Sequence, residues 1–200
     1  MPKVTEAHRV ARRSQIIDAA RRRFASNGFH MTSMDDVIAE TGLSAGALYG
    51  YFPGKDALIL ATIDETLDIL LERARTVFDE SATHPTIGDT IEQLLTTILG
   101  TLAQQGSDDV TRIALYAWAE APRNPAVHKA LTTRYTQLRA TFAEIAGAWL
   151  VRNGSTPDPA TTAAIAKTLL STIMGFVTQR ILLGDIHPHD IRVGLDALSP

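Results

Sequence analysis

The stretch "GLSAGALYGYFPGK", Gly42–Lys55, holds four glycines, two tyrosines and one lysine at its end. Gly42 makes the turn, Ser44 suits a helix N-cap, and Pro53 stops the helix that Ser44 starts. The result is a short helix whose first turn holds only small residues, Ala45, Gly46 and Ala47. Such a helix buries little. Small side chains are what let another molecule approach its backbone closely.

The segment just before it, "MDDVIAET" at Met34–Thr41, reads as a second short helix. Ser33 is its N-cap, and Asp36 three residues on completes a capping box. Met34, Val37 and Ile38 supply the inner face. Two helices joined by a tight glycine-containing turn form the helix-turn-helix arrangement. Its second helix lies in the DNA major groove and offers N-terminal residues to base edges. Ser44, Ala45, Gly46 and Ala47 then face the groove, while the hydroxyls of Tyr49 and Tyr51 come near phosphates or base edges. Lys55 is placed to pin a phosphate, a contact that fixes register rather than sequence.

Helical spacing continues along nearly the whole chain, and no segment alternates with period two, so the fold class is all-α. A first helix is expected over about Glu6–Ser26, with Ile16, Ile17, Ala20 and Phe24 buried and Gly28 as its stop. A long fourth helix covers about Lys55–Asp79. Leu60, Ile63, Leu67, Leu70, Leu71, Ala74, Val77 and Phe78 form its apolar stripe, and Glu65, Asp68, Glu72, Arg75 and Asp79 its polar face. Further helices are expected over about Thr86–Gln105, Ser107–Ala121, Pro125–Arg152 and Pro159–Leu183, with a short last one ending near Leu198. Asn124 and Asp158 cap the two that open on proline, and Asp108 and Asp109 favour the start of the sixth. The chain divides into a DNA-binding unit at 1–54 (about 11–71 with the start of the connector) and a bundle at 55–200.

The 200 residues carry a formal net charge of −3, which by itself argues against a polyanion partner. The distribution reverses the argument. Up to Ala25 there are seven basic residues (Lys3, Arg9, Arg12, Arg13, Arg21, Arg22, Arg23) against Glu6 and Asp18, a local balance of +5, which leaves −8 for the remainder. Polyanions respond to the local field. A solvated helix face is the competing explanation of the same run. Apolar residues make up 45% of the chain and cysteine is absent, so disulfides are excluded and a reducing compartment is implied. No segment reads as long and apolar enough to span a bilayer. "MPKVTEAHRVARRSQII" lacks the apolar stretch of a signal peptide. The expectation is a cytoplasmic protein without a membrane partner.

The run "RSQIIDAARRRFASNGFHMTSMDDVIAETGLSAGALYGYFPGKDAL" resembles the DNA-binding domain of TetR-family transcriptional repressors. Ile17, Ala19, Ala20 and Phe24 match the first helix. Gly28, Phe29, Thr32 and Ser33 follow in order, then Gly42 and Ser44 in the turn, then "LYGYF" and Lys55. In this pattern Tyr49 faces DNA and Phe52 packs inward. The resemblance implies a DNA-contact set of Arg12, Thr32, Ser33, Ser44, Ala45, Gly46, Ala47, Tyr49, Gly50, Tyr51 and Lys55. Two letters depart from the pattern: Ile38 replaces a usual alanine, and Gly50 replaces a larger residue. Gly50 costs the helix about 1 kcal/mol relative to alanine. Either packing or the approach of DNA is its reason.

Beyond the first quarter the resemblance rests on architecture and on "LYAWAEAPRNPAV" and "TIMGFVTQRILLGD". The eighth helix is apolar on nearly all sides, so it is buried all round, either at a monomer's centre or between a core and a second subunit. The resemblance implies the latter: a homodimer formed through the last two helices, with Leu169, Ile173, Phe176, Val177, Arg180, Ile181, Ile191 and Leu195 at the interface. Tyr116, Trp118, Glu120, Tyr135, Phe142, Phe176 and Gln179 are candidates to line a small-molecule pocket. Glu120, if it points inward, favours a cationic or hydroxylated ligand; Arg112 or Arg123 is the alternative surface partner.

"DIHPHD" gathers Asp185, His187, His189 and Asp190, but Asp190 also serves as a cap, and no metal or cofactor is expected. No catalytic fingerprint is present. The sequence therefore reads as a ligand-released repressor on double-stranded DNA with a pseudo-palindromic operator. Its rival is a helical carrier or enzyme whose N-terminal unit does not bind DNA.

Overall fold

A computed structural model describes residues 5–80, 86–104 and 110–198. Among these residues every regular element is an α-helix: α1 (Glu6–Met31), α2 (Met34–Thr41), α3 (Ala45–Tyr51), α4 (Lys55–Glu80), α5 (Ile87–Gln104), α6 (Val110–Glu120), α7 (Pro125–Arg152), α8 (Pro159–Leu182) and α9 (Pro188–Leu198). The expected Ser107 start of the sixth helix, with Asp108 and Asp109, lies outside the described residues, as does Lys3.

The caps sit where side-chain chemistry puts them. Ser33 Oγ accepts from Asp36 N at 3.1 Å, while Asp36 Oδ2 accepts from Ser33 N at 2.7 Å. Thr86 and Asp89 repeat that exchange at the start of α5. Asn124 accepts from Ala126 N and Val127 N, and Asp158 from Ala160 N and Thr161 N. The first helix runs on past Ser26 to Met31, with its break at Gly28 (φ 75°, ψ 169°). The short continuation carries Phe29 into an edge-to-face contact with Phe24, 5.1 Å between centroids.

By packing, the chain forms two compact units: Met1–Thr66 with Leu102–Ala130, and Leu67–Thr101 with Leu131–Pro200. The packing division falls inside α4, at Thr66, rather than at residue 55. It also gives α6 to the first unit, where it packs on α1, a partnership the sequence did not suggest. In the first unit Ile16, Ile17, Phe24, Val37, Leu48, Phe52, Leu58 and Ile113 are buried. In the second, Ala74, Val77, Leu95, Leu138, Phe142, Ala166, Leu170, Ile173 and Phe176 belong to one core cluster.

Helix α8 corrects one expectation and decides between two others. In length and composition it suffices to cross a bilayer, with a mean hydropathy of 1.4 over its best 18 residues. Within one chain it is buried on one face, which excludes burial all round at a monomer's centre. Ala166, Leu170, Ile173 and Phe176 recur at helical spacing and form one buried face, while Lys167, Thr168 and Ser171 are exposed. Those four residues seat α8 in the core of the second unit.

Candidate functional site

The turn before α3 is fixed from three sides. Gly42 is left-handed (φ 67°, ψ 13°), and its N–H donates to Ile38 O at 3.0 Å. Gln15 Nε2 on α1 donates to Thr41 O at 3.2 Å, and Arg12 Nη1 donates to Gln15 Oε1 at 2.8 Å. Ser44 Oγ accepts from Ala47 N at 3.3 Å and starts α3. Leu48 and Phe52 anchor the helix from inside, and the Arg13 guanidinium lies 5.5 Å from the centre of the Phe52 ring. Gln15 is a positioning residue that sequence reasoning missed. An uncharged side chain that bonds a backbone carbonyl 26 positions away leaves no periodic signal.

The outward side of α3 holds Ala45, Gly46, Tyr49 and Gly50, all exposed, with Ala47 and Tyr51 half-buried. A Cβ added at Gly46 or Gly50 would meet nothing within 4 Å. Packing within the chain therefore does not explain Gly50. At the far end Lys55 Nζ donates to His30 O at 3.3 Å.

Besides Arg12, Ser44 and Lys55, whose side-chain bonds are given above, two further members of the expected DNA-contact set are engaged within the chain. Thr32 is 1% exposed, and its hydroxyl donates to Gly28 O at 2.9 Å, so its side chain secures the bend after α1 and is not available to a phosphate. Ser33 is exposed, but its hydroxyl serves the capping box. The basic run is also corrected. Arg21 is 2% exposed and pairs with Asp18 at 3.0 Å and Glu65 at 3.5 Å. Arg22 and Arg23 converge on Glu40 at 3.0 and 2.9 Å, and Arg9 lies 3.7 Å from Glu6. Arg21 therefore belongs to the interior of the unit, while Arg22 and Arg23 meet Glu40 near the surface and the Arg9–Glu6 pair is solvated. The hydrogen bond from Arg22, with Arg23 beside it, holds the Glu40 carboxyl below the usual carboxylate range.

The ligand candidates are divided between the units. Tyr116, Trp118 and Glu120 lie on α6 in the first. Tyr116 stands 6.1 Å from Phe29, ring to ring, and Glu120 Oε2 lies 2.9 Å from His30 Nε2. Glu120 is thus taken up by a histidine, neither of the arginines proposed for it. In the second unit Phe142 and Phe176 are core residues, Tyr135 packs against that core, and Gln179 is exposed.

A cavity of about 30 Å³ does lie in the second unit. Its walls are Ala74 and Val77 of α4, Ile87, Thr90, Ile91 and Leu94 of α5, Phe142, Ile145, Ala146 and Trp149 of α7, and Leu169 and Ile173 of α8. Of the candidates only Phe142 reaches it. A wider cleft of about 480 Å³ is ringed by Asp68, Glu72, Arg75, Arg134 and Glu144. Arg134 pairs with Asp68 there at 2.8 Å, a solvated ion-pair face rather than the mostly apolar wall that small-molecule sites require.

The interface candidates also sort by burial. Ile173 and Phe176 are buried on the core face of α8, and Leu169, Ile191 and Leu195 are half-buried against that core. Val177, Arg180 and Ile181 are half-buried. The exposed large apolar residues nearby are Leu182 (70%), Leu183 (66%), Val193 (48%) and Leu198 (83%). In "DIHPHD", His189 Nδ1 lies 3.3 Å from Glu92 and Asp190 accepts from His187 N, so these side chains serve other partners. Among the described residues no cluster of three or more metal-ligating side chains forms.

Residues 16–62 match the family model of bacterial regulatory proteins of the tetR family, and residues 90–194 match the C-terminal model of the BetI-type transcriptional repressors. The HTH-type transcriptional regulator YfiR of Bacillus subtilis is 35% identical over 94 residues, covering 47% of this chain and 44% of the relative. The HTH-type transcriptional repressor Rv1474c of Mycobacterium tuberculosis is 45% identical over 65 residues, covering 32% and 35%. The chain spans less than half the length of these two relatives. Among solved structures, GusR of Salmonella enterica matches with a TM-score of 0.67 and 28% identity over 98% of each chain.

Proposed function

The chain belongs to the bacterial tetR family of regulatory proteins, and from that premise we propose that it is a sequence-specific DNA-binding repressor, released from its operator by a small molecule. The observation that carries the reading is α3 itself. Its turn is clamped by Gly42, Gln15 and Thr41, and its outward side is left bare at Ala45, Gly46 and Gly50. The bare side enters the major groove, with Tyr49, Lys55 and Arg12 on the phosphates. Residues 1–54 read DNA, and residues 55–200 bind the ligand and the second subunit.

The protein acts as a homodimer through α8 and α9. Leu182 and Leu183 at the end of α8 and Val193 and Leu198 on α9 support this assignment, as exposed large apolar side chains on the two helices it names. A two-fold dimer reads a pseudo-palindrome with half-sites about 34–36 Å apart, or a multiple of that. The ligand occupies the apolar cavity, whose α4 wall belongs to the helix that begins at Lys55 directly after the reading head. Its differential affinity for two positions of α4 shifts the population away from the DNA-competent state. The protein works in the cytoplasm beside its operator and performs no chemistry of its own.

Selection of bound sequences from random duplex DNA tests the proposal. One pseudo-palindromic sequence should be enriched, and it should survive excess nonspecific competitor. Tyr49→Phe and Lys55→Ala should each weaken its binding, and Lys55→Ala should lower the salt slope by about 1. Enrichment of nothing above background would favour a carrier or enzyme instead.

A further inference from the structure

We infer that Arg13 is a further DNA-contact residue, which pins a backbone phosphate beside the C-terminal end of α3. The inference rests on the reading of the chain as a DNA-binding regulator. Helix α1 carries six arginines, and four of them meet carboxylates of the chain. Arg9 lies against Glu6, Arg21 against Asp18 and Glu65, and Arg22 and Arg23 against Glu40. That leaves Arg12, which meets an uncharged amide, and Arg13, which meets an aromatic ring. Among the described residues Arg13 has no carboxylate within ion-pair distance and donates no hydrogen bond.

The ring beneath it fixes where the charge stands. The guanidinium lies 5.5 Å from the centre of the Phe52 ring, and Phe52 is the buried C-cap of α3. A guanidinium over an aromatic face is held without spending its N–H donors on an acceptor. Arg13 is otherwise exposed, so its donors and its full charge stay available to an outside anion. Toward the other end of α3, Arg12 is tied through Gln15 to Thr41 O, just ahead of the turn. Helix α1 thus supplies a cation without a carboxylate partner at each end of the bare helix. A helix seated in a major groove has phosphates along both edges, and cations at its two ends fix its register.

The test is the affinity of the full-length protein for the selected operator, and for its single-base variants, as a function of salt. At about 0.1 M salt one released counterion is worth roughly eight-fold in affinity. Arg13→Ala should weaken binding by about that factor per protomer and lower the salt slope by about 1 per protomer. The loss should be the same on every sequence, because a phosphate carries no base information. Alanine is the best helix former, so this variant keeps α1. Two more variants separate charge from packing. Arg13→Lys keeps the charge and should keep the slope. Arg13→Met keeps an apolar stem over Phe52 and should lose the slope as Arg13→Ala does. Three results each overturn the inference: an unchanged slope in Arg13→Ala, wild-type affinity in Arg13→Met, or an altered base preference in Arg13→Ala. A wild type that binds no operator fails the regulator reading and this inference together. An operator bound with a slope that Arg13→Ala does not move fails this inference alone.

Discussion

Gly28 lies against Tyr116: a Cβ on Gly28 would stand 3.4 Å from Cε1 and Cζ of the ring. At φ 75° and ψ 169° its backbone occupies a region that only glycine enters freely. Here α1 bends, Phe29 turns inward, and α6 is received. Gly28→Ala should lower unfolding free energy by about 1–3 kcal/mol, since backbone strain opposes it while the added methyl would meet the ring at ordinary contact distance. Denaturant titration measures the loss. A change below about 0.5 kcal/mol, typical of an ordinary surface substitution, would mean the bend is not required.

Arg21 differs in kind from its two neighbours in "RRR". Its side chain is 3% exposed and answers Asp18 and Glu65, whereas Arg22 and Arg23 are 41% and 38% exposed. Removing a buried cation forfeits packing along its stem as well as charge. Arg21→Ala should cost about 2–4 kcal/mol, somewhat less than breaking a fully buried pair because Asp18 and Glu65 keep contact with water. Arg22→Ala should cost about 1 kcal/mol or less. Equal costs in thermal unfolding would refute the distinction.

Glu40 sets an acid limit. Its carboxyl is held below its ordinary value of 4.5, chiefly by the hydrogen bond from Arg22. A carboxylate with a depressed folded pKa adds stability that is full above the unfolded value and is lost as pH falls through the folded one. Asp36, lowered by its bond to Ser33, acts in the same direction. Glu40→Gln should therefore lower stability at pH 7 by about 1 kcal/mol, with the wild-type and variant curves converging as pH drops below 4.5. Parallel curves down to acid unfolding would show that the pair contributes nothing.

The sequence shows its helices wherever backbone chemistry is local. Ser33–Asp36, Gly42, Ser44, Asn124 and Asp158 each act within four residues, so side-chain type alone locates the helix ends. It shows less wherever a polar side chain chooses among distant partners. Nothing in "RRRF" tells Arg21, which meets Glu65, from Arg22, which meets Glu40. Glu120 finds His30, not a nearby arginine, for the same reason. The apolar surround of α8 was legible, but the choice of its core face was not. That choice depends on which helices reach Ala166, Leu170, Ile173 and Phe176. Trp149 escaped notice as a wall of the cavity because an aromatic at helical spacing looks like core.

Gly50 separates stability from recognition. It sits inside α3, exposed, and a Cβ there would touch nothing in the chain. Alanine is the better helix former, so Gly50→Ala should raise unfolding free energy by about 0.5–1 kcal/mol. On DNA the same methyl group occupies space that the bare helix leaves for the groove. The variant should therefore be more stable and bind the selected operator more weakly. A longer side chain such as Gly50→Gln should weaken it further or change the preferred bases, because a glutamine there can reach base edges. Melting temperature and operator affinity measured on the same preparations check both halves. If stability and affinity rise together, the glycine is not kept for the approach of DNA.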